Sequence, residues 1–364
     1  VYRKVFNKFG ITNDEFAQWS NGPAYLAWSR GQSMHGIAGP VPLSFFKSQW
    51  KLNKQILRRM REIGMVGVLP SFQGNVPPEM RELYPKANMT RKKGTAAWID
   101  GCDPLFGEIA DTFLKQVIED FGTDHWYEAD GYFNMHDGPW YSLASKEKRG
   151  RSASSNPWSS PEEIPIDFDA RAHAKAAYGG MNRTDPKAVW LYQGWIWRGW
   201  GADKLPYMKG FVSGVPEGRF VMLDMFDESI PEWEFFNDFS YFGTPFIWSV
   251  LHNFGGNSGL WGSLPLLNSQ PYDALANSTS VSGVGFAPEG LDQNPAYYQF
   301  ALDLSFRASP LELDEWPKKW VIERYGAIMD KGKLIPISES AVRAWEILRD
   351  SVYGEPQKAD FFTE

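Results

Sequence analysis

Hydrophobic and polar positions along the chain follow two periods, one for strands and one for helices. Phe246 to Leu251 is apolar on both faces, which suits a strand buried on two sides of a parallel sheet. His252, Asn253 and Phe254 follow it, and Gly255-Gly256 then turns the chain sharply. Beyond Leu264 a polar loop is expected, leading to a second run, Val281 to Phe286, that stops at Ala287-Pro288-Glu289-Gly290. Comparable runs are Met65 to Leu69 ending at Pro70, His125 to Phe133, Ala188 to Gln193 and Phe220 to Phe226. Helical spacing fills the intervals. Phe46, Trp50, Ile56, Leu57, Met60 and Ile63 form one stripe, stopped by Gly64. Asp103-Pro104 opens another with a side-chain cap and a first-turn proline; Leu105, Phe106, Ile109, Phe113, Leu114, Val117 and Ile118 carry it, and Gly122 ends it. Thr12-Asn13-Asp14-Glu15 has capping-box spacing. A helix is expected near Ala170 to Met181 and an aromatic-rich one from Pro231, while residues 143–165, rich in Ser, Pro and charge, read as a mobile insertion.

Strands near residues 65, 125, 188, 220, 246 and 281, each followed by room for a helix, mean a parallel sheet with crossover helices. A doubly wound sheet would carry a Gly-rich phosphate loop after its first strand, and neither GxGxxG nor GxxxxGK[ST] occurs. The expected fold class is therefore α/β, a (β/α)8 TIM-type barrel whose N-terminal strands are missing or irregular. Helical spacing resumes from about Leu311, so the expected domains are a catalytic barrel over 1–308 and the start of an all-helical domain over 309–364.

Composition narrows the function. A net charge of −7, from 44 acidic and 37 basic residues with no basic stripe, argues against a nucleic-acid partner. Aromatics make up 16% of the chain, including 17 Trp, and flat apolar rings suit carbohydrate clefts as well as large cores. The one cysteine, Cys102, leaves no internal disulfide and no cysteine-based zinc site, and no metal or cofactor is expected. No apolar run is long enough to span a membrane, and the opening VYRKVFNKFG has neither Met nor a signal-peptide pattern, as in a fragment or processed form. The sequons at Asn88, Asn182 and Asn277 are candidate glycosylation sites.

Barrel enzymes keep their chemistry at the C-terminal strand ends, and those ends offer Asp137, Asp227, Glu228 and Glu289. Two carboxylates facing one another across a sugar are what glycoside hydrolysis commonly needs. The five histidines include no HExxH spacing, and no GxSxG elbow is present. His252 beyond its strand could bond a ligand or serve the core.

The blocks WSRGQSMHGIAGPVPLSF, FGTDHWYEAD, AVWLYQGW, VMLDMFDES, PFIWSVLHNFGGNSGL and GVGFAPEG resemble, in order and spacing, those of glycoside hydrolase family 89, the α-N-acetylglucosaminidases. The resemblance implies a retaining exo-glycosidase that removes terminal α-linked N-acetylglucosamine, in animals from heparan sulfate, in a lysosomal or secreted setting. It implies an eight-stranded barrel followed by an all-helical domain. Carried over block by block, Glu289 matches the nucleophile, and Trp28, Tyr178, Trp195, Met225, Leu251 and Phe254 match positions lining the sugar pocket. His252 and Asn253 also look family-like, with His252 taken as a further sugar-pocket residue.

The general acid is the departure. The family has Phe-Asn-Glu after the fourth strand, whereas this chain reads Phe133-Asn134-Met135-His136-Asp137. Asn134 or Met135 stands where the acid should be, and Asp137 is the nearest replacement. Loss of general-acid help costs about 10² to 10⁴ in rate, so the alternative to an active glycosidase is an impaired relative that binds amino sugars. The oligomeric state is open.

Overall fold

Six apolar runs become six neighbouring strands. The computed structural model describes residues 1–19, 42–89, 97–129, 169–197, 205–236, 239–253, 260–288, 293–326, 328–330, 333–335 and 337–354. The chain divides into two compact units, Val1–Val221 and Met222–Glu364. The first holds α1 (Tyr2–Lys8), α2 (Asn13–Trp19), α3 (Leu43–Glu62), β1 (Val68–Pro70), β2 (Asn75–Val76), α4 (Met80–Leu83), β3 (Ala97–Trp98), α5 (Pro104–Phe121), β4 (Trp126–Glu128), α6 (Ala170–Thr184), β5 (Val189–Gln193), α7 (Leu205–Val212) and the start of β6 (Phe220–Met225). The second continues with β7 (Phe246–Val250), α8 (Leu264–Asn277), β8 (Val281–Phe286), α9 (Pro295–Leu304), α10 (Trp316–Tyr325), β9 (Ile328–Asp330), β10 (Lys333–Ile335) and α11 (Glu339–Asp350). The sheet order is β1-β4-β5-β6-β7-β8. Its resolved registers are parallel, with Tyr127 opposite Leu69 and Trp190, and Trp248 opposite Asp224 and Val284. Parallel neighbours need crossover connections, and α-helices supply them except between β6 and β7, where the described residues hold only a 3-10 turn.

Local chemistry explains the boundaries. Thr12 N–H and hydroxyl donate to the Glu15 carboxylate at 2.7 and 2.8 Å, and Glu15 N–H returns a bond to the Thr12 hydroxyl at 3.2 Å, a closed capping box before α2. Asp103 accepts from Leu105 N–H at 2.9 Å to start α5, and Gly122, at φ 75°, lets the chain leave it. The buried stripe of α5, from Leu105 through Val117, packs on α6. Arg183 of α6 pairs with Asp111 of α5 at 2.8 Å. Trp190, Tyr192, Phe211 and Phe220 form an aromatic cluster against α7. In the second unit Phe246, Trp248 and Val250 are fully buried, and Trp316, Trp320 and Trp345 cluster where α10 meets α11.

Four expectations are corrected. The polar stretch after Leu264 is a helix, α8, because Ser263 caps Leu266 N–H at 3.3 Å and Pro265 fits the first turn. The helix expected from Pro231 is only a 3-10 turn, Trp233–Phe235, which ends where Phe236 turns extended at φ −80° and ψ 136°; the Asp224 carboxylate accepts Trp233 N–H at 2.9 Å. The region after Leu311 also contains the antiparallel pair β9–β10, and β2–β3 form another such pair. The stripe of α3 forms as a helix, but among its residues Leu57 alone is buried, while Trp50, Ile56 and the following Ile63 are exposed. Residues 143–165 lie outside the described residues. No helix among the described residues is long and apolar enough to cross a membrane.

Candidate active site

The C-terminal ends of β6 and β7 are built around three carboxylates and one histidine. At the end of β6, Phe226 adopts φ 77°, a left-handed conformation that an L residue takes only when its surroundings hold it there. Phe226 and Asp227 N–H both reach Ser249 O, at 3.1 and 3.0 Å. The Asp227 carboxylate accepts Ser249 N–H at 2.9 Å, and Glu228 accepts Leu251 N–H at 3.1 Å and His252 N–H at 2.7 Å. The acids that follow β6 thus hold the end of β7. Asp224 lies beside Asp227 inside the same core, and Asp227 is pushed well above the usual carboxylate range, first by burial and then by the Asp224 charge. Burial, then Asp224 and Asp227, also raises the Tyr241 phenol. Asp227 and Glu228, candidates by position, are committed to backbone N–H groups here.

His252 sits at φ 51°, directly after β7, and its side chain has 0% exposure. Its ring lies between Tyr297 at 4.1 Å and Trp261 at 4.7 Å, nearly parallel to both, with Tyr298 edge-on at 5.7 Å. Neither ring nitrogen has a hydrogen-bond partner among the described residues. Burial alone lowers its pKa to about 3, so the ring is neutral. Tyr298 OH donates to Leu251 O at 3.0 Å and Trp261 Nε1 to Asn253 Oδ1 at 3.2 Å, which ties the turn to the same rings. Gly262 permits the packing: at φ 112°, a Cβ there would stand 2.6 Å from the Tyr297 ring. His252 and the buried Leu251 therefore support this turn from within, and Met225, half-buried, keeps some surface.

In the first unit, Tyr127 sends its hydroxyl to Asp185 at 2.7 Å, and Trp190 and Tyr192 pack against Phe211 of α7. Strand alternation turns Glu128 and Gln193 to the opposite face, where Gln193 Nε2 donates to Glu128 Oε1 at 3.4 Å. This pair at the ends of β4 and β5 was missed in the sequence; its signal was a carboxylate inside the otherwise apolar run Trp126-Tyr127-Glu128-Ala129. Tyr178 lies in α6, buried, with its hydroxyl donating to Ala188 O at 3.0 Å. Trp195 belongs to the 3-10 turn Gly194–Trp197 directly after β5. Trp28, Asn134, Asp137, Phe254 and Glu289 lie outside the described residues. Asn88, Asn182 and Asn277 are all exposed.

The sequence model described as the alpha-N-acetylglucosaminidase (NAGLU) TIM-barrel domain matches residues 1–308. Human alpha-N-acetylglucosaminidase is 34% identical over 370 aligned positions, covering 97% of this chain and 44% of the human protein. A family 89 glycoside hydrolase from Clostridium perfringens in complex with 2-acetamido-1,2-dideoxynojirmycin superposes with a TM-score of 0.76 at 25% identity, covering 96% of this chain and 36% of that one. A substituted form of the clostridial enzyme, holding its substrate GlcNAc-alpha-1,4-galactose, gives the same TM-score and identity over 97% of this chain and 36% of that one. The chain thus spans less than half the length of these relatives.

Proposed function

The chain belongs to the alpha-N-acetylglucosaminidase TIM-barrel family, and on that premise we propose that it is a retaining glycosidase that releases terminal α-linked N-acetylglucosamine, with Glu289 as nucleophile. The observation that carries this reading is the family match over residues 1–308, which includes the sequence Ala287-Pro288-Glu289-Gly290 that follows β8. The clostridial relative that holds GlcNAc-alpha-1,4-galactose supports the sugar and its linkage. Glu289 attacks the anomeric carbon as an acid protonates the departing oxygen, and water then releases the sugar from the enzyme. Asp137 takes the acid role, and Asn134 occupies the sequence position of the family's acid. By the resemblance, Trp28, Tyr178, Trp195, Met225, Leu251, His252 and Phe254 are the residues that line the sugar pocket. The proposed substrate is a glycan of the heparan-sulfate type, in a lysosomal or secreted setting, with N-glycans on the exposed Asn88, Asn182 and Asn277.

A second reading, an amino-sugar-binding relative with weak turnover, is favoured by the Asn134-Met135 sequence at the acid position. Aryl α-N-acetylglucosaminides of graded leaving-group ability separate the two. Glu289→Gln should abolish turnover of every member of the series. Asp137→Asn should slow poor leaving groups by about 10² to 10⁴ and spare activated ones. If Glu128→Gln shows that leaving-group dependence and Asp137→Asn does not, the acid is the strand-end Glu128. Saturable binding without turnover would favour the second reading, and turnover untouched by Glu289→Gln would remove Glu289 from the mechanism.

A further inference from the structure

A second polar grouping lies in the first unit, and no step of the proposed chemistry uses it. Asp100 and Cys102 stand in the turn between β3 and α5, and His173 in the first turn of α6. A carboxylate oxygen, the thiol sulfur and an imidazole nitrogen of these residues all lie within 4.8 Å of one another. The Asp100 carboxylate is 2.9 Å from His173 Nε2.

The turn is tightly held. Asp100 Oδ1 accepts Cys102 N–H at 2.9 Å, its Oδ2 accepts Asn88 Nδ2 at 2.8 Å, and Asp103 accepts Asn88 N–H at 2.7 Å. His173 is fixed from its other side, where Nδ1 donates to Asp169 O at 2.8 Å. That bond leaves Nε2 as the atom turned to the carboxylate and thiol, the outer arrangement that metal-binding histidines commonly use. Asp100 and His173 are buried while Cys102 is exposed, which gives an ion a way in. A buried Asp–His pair accounts for two of these side chains as structure. The Cys102 thiol, hydrogen-bonded to His173, adds a third ligand type at the same point.

We propose that Asp100, Cys102 and His173 bind one divalent transition-metal ion of the zinc class, with water as the fourth ligand. Imidazole, thiolate and carboxylate are the ligands zinc takes, at about 2.0 to 2.3 Å. Tetrahedral coordination at those lengths sets the ligand atoms about 3.3 to 3.8 Å apart, so the three donors need only small rotations. Binding replaces the proton on His173 Nε2 and the proton of the thiol, both of which pass to solvent. No sequence motif announces the site, because its ligands come from an Asp-x-Cys step and from a helix far along the chain. The proposal departs from the expectation that no metal is bound.

Cobalt(II) is the probe, titrated into the purified full chain and followed by absorbance. The expected result is one equivalent bound, with a thiolate-to-cobalt charge-transfer band in the near ultraviolet that zinc abolishes by competition. Cys102→Ser, at an exposed position that should leave folding intact, should lose that band and weaken zinc binding at least tenfold. Asp100→Asn should keep the band and also weaken zinc binding at least tenfold. A cobalt spectrum with no thiolate band, or zinc affinity equal in Cys102→Ser and the parent protein, would overturn the proposal. Neither readout depends on glycosidase activity.

Discussion

His173 and His252 are both buried, yet their rings are in opposite states. Burial lowers the pKa of each. For His173 the hydrogen bond to Asp100 and then the one to Cys102 outweigh it, and the pKa rises to about 10. For His252 nothing opposes burial; the neighbours are Tyr297, Trp261 and Tyr298, and the pKa falls to about 3. The difference teaches that burial alone does not set the state of a histidine. A charged partner makes His173 half of an ion pair, and an aromatic sandwich makes His252 a flat, neutral core residue.

The largest effect that separates the two is on stability. His173→Phe leaves the buried Asp100 carboxylate without its cation, and urea unfolding should show a loss of about 3 to 5 kcal/mol. Equal losses for this substitution and for His252→Phe would end the contrast. Next in size, Glu228→Ala strips the acceptor from Leu251 and His252 N–H and should cost about 2 to 3 kcal/mol, with an unchanged urea midpoint as the contrary result.

Stability as a function of pH sharpens the comparison further. The folded pKa of His252 lies below its ordinary 6.5, so its contribution is full above about pH 6.5 and is lost as pH falls toward 3. Asp227 runs the other way. Its folded pKa lies above 3.8, so its contribution is full below that value and is lost as pH rises through the raised value. Unfolding midpoints measured from pH 4 to 8 should therefore show Asp227→Asn flattening the decline toward neutrality. His252→Phe should flatten the decline on the acid side. The smallest effect is His252→Phe at neutral pH, where a ring of similar shape keeps both stacks and should change stability by less than about 1.5 kcal/mol.

Much of the scaffold was legible because its signals are local. Six apolar runs, the Thr12–Glu15 box, the Asp103-Pro104 start and the Gly122 stop each carry their structural reason within a few residues. The helix α8 was not legible, since Asn268, Ser269, Gln270 and Pro271 read as loop and only the Ser263 cap and Pro265 point the other way. Nor was the fate of Pro231, where nothing local announces that Phe236 turns extended and ends the 3-10 turn after Phe235. At the strand ends, sequence position marked Asp227 and Glu228 as acids of interest but could not reveal that backbone N–H groups occupy them. The Glu128–Gln193 pair depends on which strands become neighbours and the Asp100–Cys102–His173 grouping on where α6 packs, and neither is encoded by spacing along the chain.

The most direct measurement on the proposed chemistry is proton NMR of the first N-acetylglucosamine released from an aryl α-glycoside, recorded before mutarotation, with Glu289→Gln alongside. The expected result is the α-anomer first, and no release by the variant. Release of the β-anomer first, or equal release by Glu289→Gln, would contradict a double displacement through Glu289.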